Sequence, residues 1–591
     1  MSLIVTTRFI AFLPDQKESR NPDSYILRIE ADVRKRDFSI LQTREYFFAC
    51  GKVAYEFKNA YRGELMILDV FPGTKASGRN FDSLMRYTTW PKLHSVAAVE
   101  AQFYNLIKLS CSMFQLESDP LGIKPFYQAE VKGGMVLASR IDDLLAIFPD
   151  LSHPPDAIGF YGLMMMASPP TDRTLHKRIR RSKTGACYVW RVGENLVITR
   201  ERRIKAPSVD PTIGIKKASK QIFEALTKSI LNRTRITNNQ AIYIALSGGY
   251  DSRFLVALAA HLAMPIEAFT YGLSYHREVY VARHVAKTLG VSHHVIPYPK
   301  DNLVLRLPLH LEAIEGQADL GSIQIANLLD STEAFGTPLM IGFLGDALGG
   351  AHLDWVEEKD YRSLNNLANG IVLAWSMPEG FQDAPFSGMT FSKEACQEEV
   401  LSELCESAYP YQALMIWDFE NRQRRFIGSH IQILGEKYHM IAPYYDIELI
   451  ESWLSLPCIA LIKRNLFFRM MERYFPEMAK IPHASNGHLI IPNLRCQLLY
   501  WGRARCHSLI SKVPVFHKRN YNIENLWTSL TPKQEAYMWL RIFKLKGAMD
   551  DVFGICVSDH VKSALHGSPQ LIRNLYMISE YAALVKANRT C

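Results

Sequence analysis

Ser247-Gly248-Gly249-Tyr250-Asp251-Ser252 is the stretch that decides how this chain folds. Before it runs Ala241-Ile242-Tyr243-Ile244-Ala245-Leu246, short, apolar and rich in β-formers, which predicts a buried strand. After it, Arg253-Phe254-Leu255-Val256-Ala257-Leu258-Ala259-Ala260-His261-Leu262 predicts a helix. Strand, glycine turn and helix in that order build an anion site. Two glycines let the backbone approach a phosphate, and the helix start supplies free N–H groups and the positive end of its dipole. The hydroxyls of Ser247 and Ser252 add donors. A carboxylate at Asp251 inside such a site calls for a cation between it and the phosphate, and Mg²⁺ held by one or two carboxylates plus phosphates meets that need. The bland alternative is a serine-glycine turn that binds nothing. No GxxxxGK[ST] is present, so the loop is not of the Walker type.

The pattern repeats downstream. Pro265-Ile266-Glu267-Ala268-Phe269-Thr270-Tyr271-Gly272 predicts a second strand, Glu278 to Gly290 a helix ending on glycine, and Ser292-His293-His294-Val295-Ile296 a third strand. Upstream, Ile215, Ala218, Ile222, Leu226 and Ile230 recur at helical spacing. Strands alternating with helices imply a parallel sheet with both faces covered, and ligands at the carboxyl ends of its strands. His293 and His294 suggest a metal pair, but neighbours on a strand point to opposite faces, so structural roles are expected. Pro338-Leu339-Met340-Ile341-Gly342-Phe343-Leu344-Gly345-Asp346-Ala347-Leu348-Gly349-Gly350 is again an apolar strand running into glycines around one carboxylate. A helix N-cap is the plain alternative for Asp346.

At 591 residues the chain calls for two or more domains. Its 48% hydrophobic and 21% charged content suits a soluble globular protein, and a net charge of +9 permits an acidic or phosphorylated substrate without arguing for nucleic acid. Ten scattered cysteines with no CxxC read as free thiols in a reducing compartment. No signal-peptide pattern opens the chain, and no apolar run reaches the ~20 residues of a membrane helix. Leu163-Met164-Met165-Met166-Ala167 is expected in the core, and a cytoplasmic location is expected.

The first third reads as β-rich. Thr43 to Phe48 and Glu64 to Val70 predict strands, and Ala97 to Leu109 predicts a helix with Val99, Phe103, Leu106 and Ile107 on its apolar face. Met113 to Tyr127, containing Leu121-Gly122-Ile123-Lys124-Pro125, predicts strand, turn and strand; Gly133 to Leu145 predicts a strand entering a helix. Arg173, Lys177, Arg178, Arg180, Arg181 and Lys183 read as a solvated basic face, with docking of an acidic peptide as the alternative. The stretch from Ile491 to Asn520 is also basic, carrying Arg495, Arg503, Arg505, Lys512, Lys518 and Arg519, and reads as another solvated face rather than a nucleic-acid surface.

The glycine loop resembles the pyrophosphate-binding loop of the ATP-pyrophosphatases, and the chain from about residue 100 to about 490 resembles asparagine synthetase B. The LGIKP stretch, the strand and helix from Gly133 to Leu145, and Thr184-Gly185-Ala186-Cys187-Tyr188-Val189-Trp190 resemble its glutaminase-type domain; the Asp346 stretch resembles its SGEGSDELFGGY; Ala442 to Pro457 resembles its RxPFLDxxLVExAxxLP. The resemblance implies an α/β protein in three parts. Residues 1–205 would form an Ntn-hydrolase-like α+β sandwich, 210–490 a parallel-sheet ATP-pyrophosphatase domain of adenine nucleotide α-hydrolase type, and 491–591 a helical extension. It further implies ATP and pyrophosphate binding by Leu246, Ser247, Gly248, Gly249, Asp251, Ser252, Thr270, Tyr271, Gly272 and Gly345. Asp251 and Asp346 would share Mg²⁺, Lys480 would face the pyrophosphate, and Asp446 would be structural.

The departures matter as much. Ser2 stands where the glutamine-hydrolysing members expose a nucleophilic cysteine, Ser118 and Arg140 replace an arginine and a glutamate of the pattern, and Phe343 falls where the family has its glutamate base. A hydroxyl is a far weaker nucleophile than a thiol near neutral pH, so loss of the glutaminase is expected. The implied activity is ATP-dependent amide formation on a carboxylate, with an amine of the substrate itself as nucleophile, as in lasso-peptide macrolactam synthetases. A small-molecule or peptide carboxylate is then the substrate, a precursor peptide and its processing protease are the expected partners, and neither nucleic acid nor membrane is. The alternatives are an ammonia-using asparagine synthetase relative and a catalytically inactive descendant.

Overall fold

A computed structural model describes residues 2–14 and 39–74 with gaps, 101–200 throughout, 204–491 with gaps of which 354–362 and 376–391 are the longest, and 532–590 with gaps, besides isolated residues between them. The basic stretch after Ile491 lies almost wholly outside the described residues, as do Thr43 to Glu45.

The first part is a sandwich of two sheets. Its strands are β1 (Ser2–Thr6), β2 (Phe9–Pro14), β3 (Ser39–Gln42), β4 (Phe47–Cys50), β5 (Val53–Phe57), β6 (Leu65–Val70) and β7 (Tyr104–Ser110). They continue with β8 (Met113–Ser118), β9 (Tyr127–Val131), β10 (Gly134–Ala138), β11 (Ile179–Arg181), β12 (Ala186–Arg191) and β13 (Val197–Arg200). One sheet runs β13-β12-β8-β7-β6-β1-β5 and the other β11-β9-β10-β2-β4-β3. Successive residues of a strand face opposite ways, and β2 uses both faces. Phe9, Ala11 and Leu13 fill the space between the sheets with Phe48, Phe114, Phe126, Tyr188 and Trp190, while Ile10 and Phe12 face the helical side. That side is covered by α1 (Ile141–Ile147) and α2 (Ala157–Met166). Asp156 caps α2 by accepting the Gly159 N–H at 2.8 Å, and Leu163 to Met166 are buried as expected.

The helix expected over Ala97 to Leu109 is not formed: Tyr104–Ser110 is β7, bonded on both sides to β6 and β8. A strand buried on both faces has no polar side to alternate with, so its apolar run fits helical spacing by accident.

The second part begins with α3 (Ile215–Thr234), whose Ala218, Ile222, Leu226 and Ile230 are buried. Then follow β14 (Ile242–Ala245), α4 (Tyr250–His261), β15 (Ile266–Tyr271), α5 (Arg277–Leu289), β16 (Ser292–Ile296), α6 (Asn302–Ile314), β17 (Pro338–Met340) and α7 (Gly345–Leu348). Helices α8 (Leu364–Trp375), α9 (Lys393–Glu403) and α10 (Pro410–Asp418) lead into a π-helical segment, Phe419–Ile427. Beyond it lie α11 (Gly428–Gly435), β18 (His439–Ile441), α12 (Ile447–Leu454), α13 (Cys458–Leu461), α14 (Asn465–Tyr474) and α15 (Pro476–Ala479). The sheet runs β16-β15-β14-β17-β18, every pair parallel. The central strand is therefore the one that feeds the glycine loop.

The two parts are bolted together by polar contacts. Gln102 donates to the Ala442 and Tyr445 carbonyls at 2.7 and 3.1 Å and accepts the Ala442 N–H at 2.9 Å. Tyr445 donates to Asp119 at 2.5 Å, accepts the Leu121 N–H at 2.8 Å, and stacks on Phe103 at 5.5 Å. The basic cluster corrects its sequence reading as well. Arg173 pairs with Asp156 and, at 2.7 Å, with Glu399 of α9; Lys183 reaches Glu403 at 2.9 Å; buried Arg181 donates to the Gly122 carbonyl at 2.9 Å. Only part of this cluster is a solvated face, because charge in a sequence does not reveal its partner.

The last helices, α16 (Pro532–Lys544), α17 (Lys546–Phe553) and α18 (Pro569–Thr590), return to the sandwich. Phe553 meets Phe160 of α2 edge-on at 5.1 Å, and Asn574 donates to the Leu163 carbonyl. Glu315, just past α6, is buried and accepts the Asp142 N–H of α1 at 2.9 Å. Burial raises its carboxyl to about 7, against the pull of Arg140 and with the push of Asp142. Its folded value thus exceeds its unfolded one, so its stabilising effect is complete below the ordinary glutamate pKa and is lost as pH rises through about 7. Glu315→Gln should therefore gain stability on the wild type between pH 5 and pH 8, by on the order of 1–3 kcal/mol, in parallel urea titrations.

Candidate functional site

The site lies at the carboxyl end of β14 and β17, neighbours in the sheet. β14 stops at Ala245, and α4 begins at Tyr250, which puts Asp251 and Ser252 in its first turn. Leu246 is buried, its N–H bonded to the Phe269 carbonyl at 2.8 Å and its own carbonyl accepting the Thr270 hydroxyl at 2.5 Å. The loop folds around its hydroxyls: the Ser252 Oγ accepts the Ser247 N–H at 3.0 Å and lies 2.9 Å from the Ser247 Oγ, which accepts the Gly249 N–H at 3.2 Å. Gly248 has to be glycine, because a Cβ there would overlap that of Ala484, whose N–H bonds the Gly248 carbonyl at 3.1 Å.

From β17 the chain turns through Ile341 to Leu344, the last at φ 70°, into α7, which carries Asp346. The two loops touch. A Cβ on Gly345 would lie 3.2 Å from Asp251 Cβ and 2.8 Å from the Tyr444 ring. Both carboxylates already have cationic partners. Arg464 grips both oxygens of Asp251, with Nη1 3.3 Å from Oδ2 and Nη2 closer to Oδ1. His352 Nε2 lies 3.3 Å from Asp346 Oδ2, and its Nδ1 lies 2.6 Å from Asp418 Oδ2.

These contacts set the charges. Burial tends to raise Asp346, but the hydrogen bond and charge of His352, with Arg464 and Arg422 behind, hold its carboxyl well below the usual range. Burial tends to lower His352, and the charge of Asp418 with the bonds to Asp346 and Asp418 lifts it to about 9. Burial raises Asp251, opposed by Arg464 and reinforced by the charge of Asp346.

Of the other expected residues, Thr270 donates to the Leu246 carbonyl and lies 2.8 Å from His293 Nε2, Tyr271 is half-buried, and Gly272 follows β15 at φ 135°. His294 pairs with Glu267 at 3.2 Å, so the two histidines serve different neighbours. Asp446 caps α12 and pairs with Arg233. Lys480 Nζ pairs with Glu477 at 2.5 Å near the surface, and Ala484 and His483 occupy the loop's flank. Phe343 is buried, its ring 6.1 Å from that of Tyr445. Sequence reasoning missed Arg464, His352, Asp418 and Tyr444. Each reaches the site from a separate element, and no local spacing marks any of them.

A hard divalent cation suits the donors present. Asp251 and Asp346 offer oxygen alone from neighbouring strand ends, and the Asp346 side chain is 46% exposed. Among the described residues no group of three His, Cys, Asp or Glu gathers as a metal site, so phosphate and water oxygens would complete the shell. Gly248→Ala should cost about 1–3 kcal/mol in urea unfolding through the clash with Ala484.

Fold and site together define an α/β protein with a serine-glycine loop at the carboxyl edge of a parallel sheet, set behind a two-sheet sandwich. Residues 221–405 match the family model for asparagine synthase. The chain is 23% identical over 274 residues to asparagine synthetase [glutamine-hydrolyzing] 1 of Bacillus subtilis (strain 168), covering 45% of this chain and 42% of that protein. It is 36% identical over 91 residues to a probable asparagine synthetase [glutamine-hydrolyzing] of Acanthamoeba polyphaga mimivirus, covering 15% and 16%. The matches thus span less than half of either relative's length. A solved glutamine phosphoribosylpyrophosphate amidotransferase from B. subtilis aligns at 7% identity and a TM-score of 0.21 over 49% of this chain and 90% of its own, a likeness too slight to bear on the fold. Residues 221–405 are thus similar to the asparagine synthase family, and parts of the chain to curated asparagine synthetases.

Proposed function

We propose that this protein is an ATP-dependent carbon–nitrogen ligase that adenylates a substrate carboxylate and passes the acyl group to an amine. The observation that carries this is the meeting of Asp251 and Asp346 at two adjacent strand ends beside the serine-glycine loop. A carboxylate is a poor acyl donor. Its oxygen would bond to the α-phosphorus of ATP, the bond from that phosphorus to the β-phosphate bridge would break, and pyrophosphate would leave. The amine nitrogen would then bond the acyl carbon, losing a proton, and AMP would leave.

The protein's part is positioning and charge. The loop N–H groups and the α4 start would face phosphate oxygens. Asp251 and Asp346 would hold Mg²⁺, which offsets the charge of the departing pyrophosphate when bound. His352 keeps Asp346 ionised and fixed in direction. We take the nucleophile to be an amine of the substrate itself, in a peptide closing on its own Asp or Glu side chain; a precursor peptide and its protease are the partners this entails. The support is Ser2 at the position of the family's nucleophilic cysteine. Ammonia as nucleophile is the alternative. Phe343, an aromatic packed on Tyr445 where the family has its glutamate, favours a further reading: a scaffold that binds nucleotide without turnover.

ATP–pyrophosphate exchange by the purified protein separates these. Exchange with a short precursor peptide, and a product lighter by one water, is the expected result; exchange with aspartate alone would return the protein to amino-acid amidation; nucleotide binding without exchange would leave the scaffold. Asp251→Asn and Asp346→Asn should each lower exchange by about 10²–10³-fold.

A further inference from the structure

Arg464 reaches the site by a backbone that is costly to form. Lys463 and Arg464 are consecutive non-glycine residues at φ 54° and 58°, between α13 and α14. That conformation is disfavoured for residues with a Cβ and persists where the surroundings impose it, most often at functional sites. Here it turns the Arg464 side chain inward, leaving it only 14% exposed. The guanidinium grips Asp251, and its carbon lies 4.3 Å from the Phe467 ring centre and 5.8 Å from that of Phe468. Across from it, a Cβ on Gly349 would come within 3.3 Å of Nε and Nη2, so glycine leaves the guanidinium its room. Its Nε is buried with no hydrogen-bond partner among the described residues. Arg464 also acts on Asp346, lowering its carboxyl alongside His352.

A planar five-donor fork set over an aromatic shelf, with one N–H unused, has more donors than Asp251 needs. Phosphate is the ligand that fork fits best after carboxylate. Lys480 is paired with Glu477. We propose that Arg464 is a catalytic residue that covers Asp251 while no nucleotide is bound and swings along the Phe467 shelf onto the β- and γ-phosphates of ATP when it binds. The inference rests on the adenylation reading above. In that step the carboxylate oxygen bonds to the α-phosphorus, the bond to the bridging oxygen breaks, and the electron pair leaves on pyrophosphate. The guanidinium donates to that oxygen anion, and Asp251 is released from its ion pair for the metal.

The test is calorimetric titration of the full chain in Mg²⁺ with pyrophosphate and, separately, with AMP. Arg464→Gln should lose about tenfold or more in pyrophosphate affinity with AMP binding held within about twofold, since AMP lacks the phosphates the guanidinium would meet. Arg464→Lys keeps a charge against Asp251 but loses the fork, and should fall between; it serves as the folded variant if the glutamine form unfolds. In Mn²⁺ titrations without nucleotide, Arg464→Gln should bind the ion more tightly than the wild type, because Asp251 is uncovered. Unchanged pyrophosphate binding in both variants, or equal loss of pyrophosphate and AMP, would overturn the role of Arg464 alone. A wild type that binds neither ligand would overturn the adenylation reading and this inference with it.

Discussion

A buried carboxylate holds the two halves of this protein in register. Asp119 has no solvent contact, and a carboxylate so placed is stable only when its lone pairs are met. They are met by the Tyr445 hydroxyl and by the Ile123 and Lys124 N–H groups. The turn from Asp119 to Lys124 belongs to the sandwich, and Tyr445 to the loop after β18. Its neighbour Tyr444 points the other way, its ring against the Gly345 position and its hydroxyl 3.4 Å from the Asp251 carbonyl. Two successive tyrosines thus join the sandwich to the site, and moving one moves the other.

The site itself is a balance of charges rather than a source of stability. Three carboxylates, buried Asp418, mostly buried Asp251 and half-exposed Asp346, face Arg464 and His352. Taking such groups out of water costs several kcal/mol per ion, and their mutual attraction roughly returns it. An apolar filling would fold as well. On the adenylation reading proposed above, a more highly charged ligand would enter here by exchanging partners, each ion pair handing over to phosphate or metal without leaving a bare charge.

The parts of this that the sequence disclosed are those set by neighbours along the chain. The β14 strand, the glycine loop and α4 follow from one another within about thirty residues, and the Asp346 loop repeats their pattern; apolar runs and glycines write both plainly. Arg464 and His352 were not legible because their function comes from where α13, α14 and α7 end in space. Arg173, Lys183 and Glu399 look like surface charges until the fold opposes them. β7 hid for a different reason: a strand covered on both faces carries no alternation, so its apolar residues can be threaded onto a helix. Lys480 looked right by type and rough position, and the chain turns it toward Glu477 instead.

The sandwich has work to do whatever Ser2 contributes. Arg424 and Arg425, side by side in the π-helical segment, send their guanidinium groups into it: Arg424 to the Ser182 and Gly122 carbonyls, Arg425 to those of Thr171 and Arg173. A π-helix is the rarer and less stable winding, kept where something holds it. Those four carbonyls, all from the sandwich, are what hold it here. Asp418, the last residue of α10, directly precedes that segment, which carries Gln423, whose amide lies 3.3 Å from the Asp418 carboxylate; Asp418 in turn fixes His352, and His352 fixes Asp346. The chain of contacts runs without a gap from the sandwich carbonyls to the site carboxylate. A sandwich stripped of its own chemistry would still be needed, because the geometry around Asp251 and Asp346 is anchored in it.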